Sequence, residues 1–270
     1  QLFYKYIKNK RTINYMKSPL RYPGGKTRAC KILDDIVTEK KFDTSLVISP
    51  FFGGGSFEFF MSTKYGSKLI VNDKFKPLVS FWKSVQMYNK ELCSKLTEIL
   101  GTVSKDIFST MRDTIMDEPD TLLQGYKYFV INRCSFSGAT LSGGFSLESS
   151  KKRFTESSIQ RIKDLNLTDI EFYNLDFETF LKGKKTGLIF LDPPYYLNEN
   201  SKLYGKNGDM HENFDHEKLF RVLNKRKNWI MTYNNCEYIK DLYKNYEIRE
   251  VKWSYGMNAS KDSSEIVIIG

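Results

Sequence analysis

The sequence contains few of the residues that build metal sites and disulfide frameworks. Its 270 residues include only two histidines and four cysteines. The cysteines lack Cys-x-x-Cys spacing, and His211 and His216 are too few for a metal cluster. The sequence therefore predicts neither a bound metal nor a set of disulfides.

Long apolar runs are also missing. No stretch approaches the about 18 residues that a membrane-spanning helix needs, and the first residues carry no apolar signal segment. These absences predict a soluble, intracellular protein without a membrane partner. Residues 1–17 are basic and aromatic without helical or strand periodicity, and we interpret them as an N-terminal extension.

Positive charge is in excess. Lysine and arginine number 42 against 32 acidic residues, for a formal net charge of +10. The length suits one α/β domain with or without a small insertion. A basic balance with many aromatics favours a polyanionic partner, most plausibly nucleic acid.

The most informative stretch is the apolar run Leu188–Leu191, followed by Asp192-Pro193-Pro194-Tyr195. Four apolar residues in a row are typical of a parallel strand covered on both faces, and ligands bind beyond the carboxyl ends of such strands. Each proline fixes its own φ and makes the residue before it extended. The motif therefore holds a carboxylate, a carbonyl and an aromatic ring in fixed relation.

That arrangement suits chemistry on an exocyclic amino group. The nitrogen is a poor nucleophile because its lone pair is conjugated into the base. If its two N–H groups donate to Asp192 and to the Pro193 carbonyl, the lone pair is freed to attack a methyl donor. Tyr195 would stack on the base, which contributes about 1–3 kcal/mol. The alternative is a strand that ends in a proline turn without chemistry.

A second strand, Leu46–Ser49, leads into the glycine turn Pro50–Ser56 and then a helix. Strand, glycine turn and helix N-terminus form a concavity of backbone amides that accepts an anion. Glu58 replaces the third glycine of a dinucleotide fingerprint. The next strand ends at Asp73, where a carboxylate can accept both ribose hydroxyls. These features indicate a nucleoside ligand such as S-adenosylmethionine, although Asp73 alone is also compatible with a loop cap.

The stretch Gly24-Gly25-Lys26-Thr27 resembles part of a phosphate-binding loop, but Leu20 occupies the position of its first glycine. We therefore exclude a nucleoside triphosphate site. Two interpretations remain: a glycine turn whose amides and Lys26 face a ligand, or a plain helix entry.

Residues 75–132 predict four helices without strands, which indicates a helical insertion. It ends in a glycine- and serine-rich loop, residues 135–146, followed by basic residues. Such a loop is either a surface hairpin or a DNA-contacting element. Asp176 and Phe177 follow another strand, where they suit an adenine, while a helix N-cap is the plain alternative for Asp176.

In their order along the chain, these motifs resemble the Dam-like, D12-class adenine-N6 DNA methyltransferases. The resemblance covers about Leu20 to Ile269. It rests on the following motifs: Leu20–Lys26, Ser49–Phe57, Asn72-Asp73, Phe129–Ser146, Asp176-Phe177 and Asp192–Tyr195.

The resemblance implies a Rossmann-like α/β methyltransferase sheet in residues 18–80 and 155–270, with residues 81–154 forming the target-recognition insertion. It also implies S-adenosylmethionine as donor and an adenine flipped out of double-stranded DNA. The implied catalytic residues are Asp192, Pro193 and Tyr195. The implied cofactor-binding residues are Tyr22, Lys26, Phe51, Gly53, Gly55, Asp73, Asp176 and Phe177. The implied DNA-binding residues are Arg21, Arg133, Phe136, Ser137, Ala139, Lys151 and Arg153.

Two positions depart from the family pattern. Ser49 stands where an acid often precedes Pro-Phe, which removes one expected cofactor contact. Leu141 stands where members that methylate GATC carry a guanine-reading arginine, and such a contact gives about 1–3 kcal/mol of discrimination. GATC specificity is therefore not predicted.

Other functions remain open on the sequence alone. Cytosine N4, RNA adenine or a protein amide would need the same acceptors for an NH₂ group, and the basic charge and the loop argue against a protein. A binding module without catalysis is the alternative from another class. A role beside a restriction nuclease is compatible with the motifs. The sequence predicts neither the recognition site nor the oligomeric state.

Overall fold

Seven strands form one mixed sheet in the computed structural model of the protein, which describes residues 16–22, 25–183, 186–196, 214–252 and 264–270. Within those ranges the strands are β1 (Leu46–Ser49), β2 (Lys68–Asn72), β3 (Ile170–Tyr173), β4 (Leu188–Leu191), β5 (Trp229–Asn234), β6 (Glu247–Lys252) and β7 (Ser264–Ile269).

The sheet order is β3-β2-β1-β4-β5-β7-β6. Strands β1 to β5 pair in parallel, and β7 inserts antiparallel between β5 and β6. The chain order reverses between β1 and β4, which makes their shared carboxyl edge the topological switch point. This architecture confirms the predicted Rossmann-like α/β fold.

The helices described in the same ranges are α1 (Cys30–Glu39), α2 (Ser56–Tyr65), α3 (Lys76–Met87), α4 (Asn89–Glu98), α5 (Lys105–Thr114), α6 (Thr121–Cys134), α7 (Leu147–Arg153), α8 (Glu156–Lys163), α9 (Phe177–Leu181), α10 (His216–Leu223) and α11 (Glu237–Leu242).

Local sequence explains most element boundaries. All four residues of β4 are buried, as its unbroken apolar run predicts. The side chain of Ser104 accepts the backbone N–H of Ile107 at the start of α5, and Asp120 does the same for Leu123 at α6. Helix α7 was not predicted, and α9 was expected only as the alternative in which Asp176 is a helix N-cap, because both helices are short and show little apolar periodicity.

Helices α3 to α8 lie between β2 and β3 in the chain, and α8 falls after the predicted insertion, residues 81–154. The insertion does not form a separate core. Its buried aromatics Phe81, Trp82 and Phe129 belong to the same hydrophobic cluster as Val47 and Leu188 of the sheet. The division at residue 80 falls inside α3, and the domain boundaries stay a prediction.

Several sequence-based expectations lie outside the described residues. They concern residues 1–15, Pro23 and Gly24, and the loop 197–213 expected to close over a substrate. Among the residues that are described, no helix is long and apolar enough to span a bilayer. In that same part of the chain no cluster of metal-ligating side chains occurs.

Candidate active site

The site lies at the carboxyl edge where β1 and β4 are neighbours. Val47 and Ile48 pair with Leu188 and Ile189, so the residues that follow each strand emerge side by side. Asp192 follows β4, and the glycine loop follows β1. Two motifs about 140 residues apart in the chain are therefore brought to one place by parallel pairing.

Asp192 is anchored by two donors on the same oxygen. Lys26 Nζ lies 2.9 Å from its Oδ1, and Thr232 Oγ1 donates to that oxygen at 2.7 Å. Thr232 belongs to β5, the strand next to β4. No described residue donates to Oδ2, and the side chain is 24% exposed. One carboxylate oxygen thus fixes the side chain while the other remains accessible.

Lys26 and Glu265 form the buried floor beside Asp192. Lys26 lies in a 3₁₀ turn, Lys26–Arg28, and its side chain is only 4% exposed. Its Nζ is 4.0 Å from Glu265 Oε2 and 5.2 Å from the centre of the Tyr195 ring. The Tyr195 hydroxyl donates to the same Glu265 oxygen at 2.6 Å.

Aromatic packing holds the residues after Asp192. The ring of Tyr195 stacks on Tyr233 with centres 5.7 Å apart and planes 23° apart. The Tyr233 hydroxyl donates to the carbonyl of Pro194 at 3.2 Å and also contacts His216. Within the described chain, no donor contacts the carbonyl of Pro193. That carbonyl is therefore available to an amino group.

The glycine loop requires glycine for steric reasons at two positions. Gly53 has φ +51°, and a Cβ there would lie 2.8 Å from Cε1 of the Tyr22 ring. Gly55 has φ +69°, and a Cβ there would lie 2.5 Å from the Phe52 ring. Trp82 of α3 donates to the Gly53 carbonyl at 3.0 Å. Tyr22 and the insertion thus clamp the loop from two sides.

Asp73 lies at the end of β2 and braces this loop. Its Oδ2 accepts the Gly53 N–H at 3.0 Å, and its Oδ1 accepts the Phe75 N–H at 2.9 Å. Burial raises the pKa of Asp73 to about 6, although both hydrogen bonds act in the opposite direction. The carboxylate thus serves as the predicted loop cap, and each oxygen retains a second lone pair for a ligand.

Asp176 and Phe177 occupy the start of α9. Asp176 caps the helix by accepting the Glu178 N–H at 3.1 Å, which matches the plain alternative, and Lys218 lies 3.4 Å from the same oxygen. Phe177 packs against Phe51 at 5.7 Å and Phe214 at 5.6 Å between ring centres. Three rings from separate chain segments form one apolar wall.

The departure at Ser49 has a structural partner. Ser49 is fully buried, and its Oγ donates to Glu58 Oε1 at 2.6 Å. Burial raises the pKa of Glu58 to about 8. An acid at position 49 would place a second carboxyl against this buried one, so a serine at position 49 fits the buried Glu58.

The predicted DNA-facing arginines differ in burial and partners. Arg133 Nε donates to the Arg153 carbonyl at 2.7 Å, and its Nη1 donates to the Pro19 carbonyl at 3.3 Å. Burial, with added repulsion from Arg161 and Arg153, lowers the pKa of Arg133 to about 10. Arg133 therefore acts as a structural brace through two of its donors. Arg21 packs its side chain over Gly138, and a Cβ there would lie 3.0 Å from Arg21 Cδ.

The recognition loop, residues 135–146, is not a regular hairpin. It consists of two 3₁₀ turns, Phe136–Gly138 and Thr140–Ser142, closed by a single bridge between Ser135 and Phe145. Phe136 is 70% exposed, whereas Leu141 is 5% exposed and belongs to the core. Ser137 lies in the first turn and Ala139 follows it half-buried, while Lys151 is exposed on α7. Leu141 packs inside the protein rather than at its surface.

The structure thus brings the predicted site residues together in three groups: Lys26 with Asp192 and Tyr195, Tyr22 with Gly53 and Asp73, and Phe51 with Phe177. Sequence reasoning missed the residues that hold them, namely Thr232, Tyr233, Phe214, Lys218 and Glu265. One signal was present, since Glu265 is an acid at the head of an otherwise apolar strand. Glu265 reaches the site because β7 lies antiparallel between β5 and β6, and sequence periodicity does not reveal that strand order.

A glycine loop at the switch point beside acceptors for an amino group is the arrangement that the sequence motifs predict for an amino-methyltransferase. Comparison with known families gives a match to the D12 class N6 adenine-specific DNA methyltransferase over residues 22–257, and the chain belongs to that family. No curated protein matches the chain. Membership confirms the predicted enzyme class, a methyltransferase that acts on adenine N6 of DNA. It also implies S-adenosylmethionine as the donor, a general property of methyltransferases.

Proposed function

We propose that this enzyme methylates N6 of an adenine turned out of duplex DNA, with Asp192 and the Pro193 carbonyl as acceptors for the amino group. The observation that carries the proposal is the local geometry of the motif. Asp192 Oδ1 is tied to Lys26 and Thr232, while Oδ2 and the Pro193 carbonyl have no donor among the described residues.

The residues present fit S-adenosylmethionine. The glycine loop keeps its shape because Gly53 and Gly55 let the Tyr22 and Phe52 rings pack against it, and the Gly53 amide donates to the Asp73 carboxylate. We assign Asp73 to the ribose hydroxyls and the rings of Phe51 and Phe177 to the adenine moiety. Tyr22 and Gly55 would complete the loop side of the cleft.

Asp176 has one carboxylate oxygen in use as a helix cap and beside Lys218. Within the described chain its Oδ2 has no donor, and we assign that oxygen to the amino group of the donor's adenine. When bound, the donor supplies a methyl group on a positively charged sulfur. Lys26 lies beside Asp192 in this cleft. The family resemblance also places Lys26 among the cofactor-binding residues, and we assign it there as a cation.

The target amino group is held by hydrogen bonds to Asp192 Oδ2 and the Pro193 carbonyl. Two acceptors placed around one nitrogen draw it towards a tetrahedral geometry and orient its lone pair, and positioning of this kind lowers the barrier. Tyr195 stacks on the base. After transfer the nitrogen loses a proton, and Asp192 Oδ2 is the nearest protein acceptor for it.

Base flipping is part of the proposal, because the amino group of a paired adenine is engaged within the duplex. We assign Phe136 to a contact with the bases and Arg21, Lys151 and Arg153 to the phosphates, with Ser137 and Ala139 beside them on the loop. Arg133 supports this surface from below. A protective role beside a restriction nuclease is compatible with the activity, and no described residue bears on it.

The test compares Asp192→Ala with wild type on unmethylated genomic DNA and isotopically labelled S-adenosylmethionine. We expect turnover to fall at least about a thousandfold, because the variant loses an acceptor used at the reacting nitrogen. Asp117→Ala, an exposed acid in the insertion, is the matched control. DNA affinity should change little in either variant, whereas Asp192→Ala alone should lower the thermal midpoint, because buried Lys26 loses its closest ion-pair partner.

Two results would contradict the proposal. Unchanged turnover in Asp192→Ala would remove the assigned acceptor. Mass analysis of the digested DNA that gave N4-methylcytosine instead of N6-methyladenine would assign a different target to the site, and wild-type enzyme without turnover would favour a binding module.

A further inference from the structure

Glu265 lies outside every motif that points to the active site, yet its side chain reaches the centre of it. Its Oε2 accepts the Tyr195 hydroxyl at 2.6 Å and lies 4.0 Å from Lys26 Nζ. The residue is 1% exposed. A buried carboxylate is costly unless it is paired and hydrogen-bonded, and both contacts stabilise Glu265 Oε2 in this position.

The backbone at Glu265 is fixed from both sides. It pairs with Asn234 of β5 and with Val251 of β6, since β7 lies between those two strands. The carboxylate is therefore presented from the interior of the sheet. A side chain mounted in this way moves less than one on a loop, which suits it to hold another group in place.

Tyr195 has no such support from its own backbone. Residues 192–196 follow β4 without regular secondary structure. Stacking on Tyr233 restricts the tilt of the ring. The hydrogen bond from the hydroxyl to Glu265 fixes the far end of the side chain and so restricts movement of the ring within its plane.

We propose that Glu265 is a positioning residue for methyl transfer, which acts by holding the Tyr195 ring in the plane where the target adenine stacks. The inference rests on the proposed function, since it needs Tyr195 to be the stacking ring. The two can be tested separately, because Glu265 is not assigned a contact with the reacting atoms and its variants should behave differently from Asp192→Ala.

Glu265 accepts a hydrogen bond from Tyr195, and its negative charge also lies near Lys26. The test must therefore distinguish the effect of losing the hydrogen bond from the effect of losing the charge. Tyr195→Phe removes the bond and keeps the ring and the carboxylate. Glu265→Gln removes the charge and keeps an oxygen that accepts from the hydroxyl. Both variants preserve side-chain volume, and they decide the matter even if Glu265→Ala fails to fold.

We expect kcat of Tyr195→Phe and of Glu265→Ala to fall about tenfold with both substrates saturating, because a displaced ring misplaces the base. The KM for the donor and the affinity for DNA should stay within about twofold, since neither depends on this contact. Glu265→Gln should retain kcat within about threefold of wild type. The double variant Glu265→Ala/Tyr195→Phe should lose about tenfold in total rather than the product of the two losses.

The exposed Glu250 of the neighbouring strand β6, which bonds Lys240 at 2.8 Å, provides the control. Glu250→Ala should retain wild-type kcat. Wild-type kcat in Tyr195→Phe, a loss in Glu265→Gln as large as in Glu265→Ala, or multiplying losses in the double variant would each overturn the inference. If Asp192→Ala kept its turnover, the proposed function would fail instead.

Discussion

The carboxyl edge of the sheet and the recognition loop differ in how their side chains are held. At the sheet edge, Lys26 and Glu265 are almost fully buried, and each contacts a second residue of the site. On the loop, Phe136 is 70% exposed and nearby Leu147 is 58% exposed. The sheet edge buries charged side chains that contact one another, and the loop region exposes large apolar side chains to solvent.

The difference follows from what each region has to do. Methyl transfer requires a few atoms held to within a fraction of an ångström, and buried hydrogen bonds supply that restraint. Recognition of DNA requires side chains that reach out of the protein to bases and phosphates. The exposure of Phe136 therefore agrees with a contact role, and the burial of Leu141 in the same loop agrees with a scaffolding role.

The largest effect should come from the glycine loop at the sheet edge. Gly53→Ala strains a backbone at φ +51° and places a methyl group 2.8 Å from the Tyr22 ring, so we expect donor affinity to fall more than about tenfold. Isothermal calorimetry with S-adenosylmethionine measures it. Gly66→Ala is the matched control, because its φ is +70° and no atom lies within 4 Å.

In both alanine variants the strained backbone should lower the free energy of unfolding by about 1–2 kcal/mol. Only Gly53→Ala should lose donor binding. Equal donor affinity in the two variants would show that the loop is not the cofactor site. The sheet edge could then no longer be contrasted with the loop 135–146 as the region that binds the donor.

A smaller effect is expected at the recognition loop. Phe136→Ala should weaken DNA binding about tenfold, since one aromatic contact with a base contributes about 1–3 kcal/mol. Its thermal midpoint should not change, because the ring is 70% exposed. Fluorescence anisotropy on duplex DNA measures the affinity.

Met116→Ala is the control for Phe136, as an exposed apolar residue at the far end of α5. It should bind DNA as wild type does. If Phe136→Ala lowered the thermal midpoint instead of DNA affinity, the loop would be part of the fold's support and the comparison would break down.

The smallest effect should be a pH dependence at the sheet edge. The pKa of Asp73 is raised to about 6 by burial, and the ionised form is the one that accepts hydroxyls. Donor affinity should therefore fall about fourfold from pH 7 to pH 5.5, in proportion to the ionised fraction. Asp73→Asn should bind more weakly and with a flat profile, and a flat wild-type profile would contradict the assignment.

Unfolding does not account for that loss. Because the pKa of Asp73 is higher in the folded protein than its usual 3.8, the folded state binds more protons between those two values. This carboxyl therefore stabilises the fold as pH falls from about 6 to about 4. Thermal unfolding at each pH separates the two effects.

The sequence alone predicted the strands, most helices and the main motifs with useful accuracy. The apolar run Leu188–Leu191 and the strand Leu46–Ser49 match β4 and β1 residue for residue. Their signals are local, since an unbroken apolar run or a glycine turn constrains its own backbone. The short helix α7 was missed because it carries too few residues for a periodic signal, and α9 was indicated only through its possible cap, Asp176.

What the sequence by itself determined is the kind of chemistry, because Asp192 to Tyr195 and the glycine loop carry their own geometry within a few residues. Only the tertiary structure decided which residues support that chemistry. Glu265 reaches Tyr195 because β7 inserts antiparallel next to β5, and Arg133 braces the loop because its donors meet carbonyls from distant segments. Contacts of this kind depend on strand order and burial, which are properties of the whole chain rather than of any stretch within it.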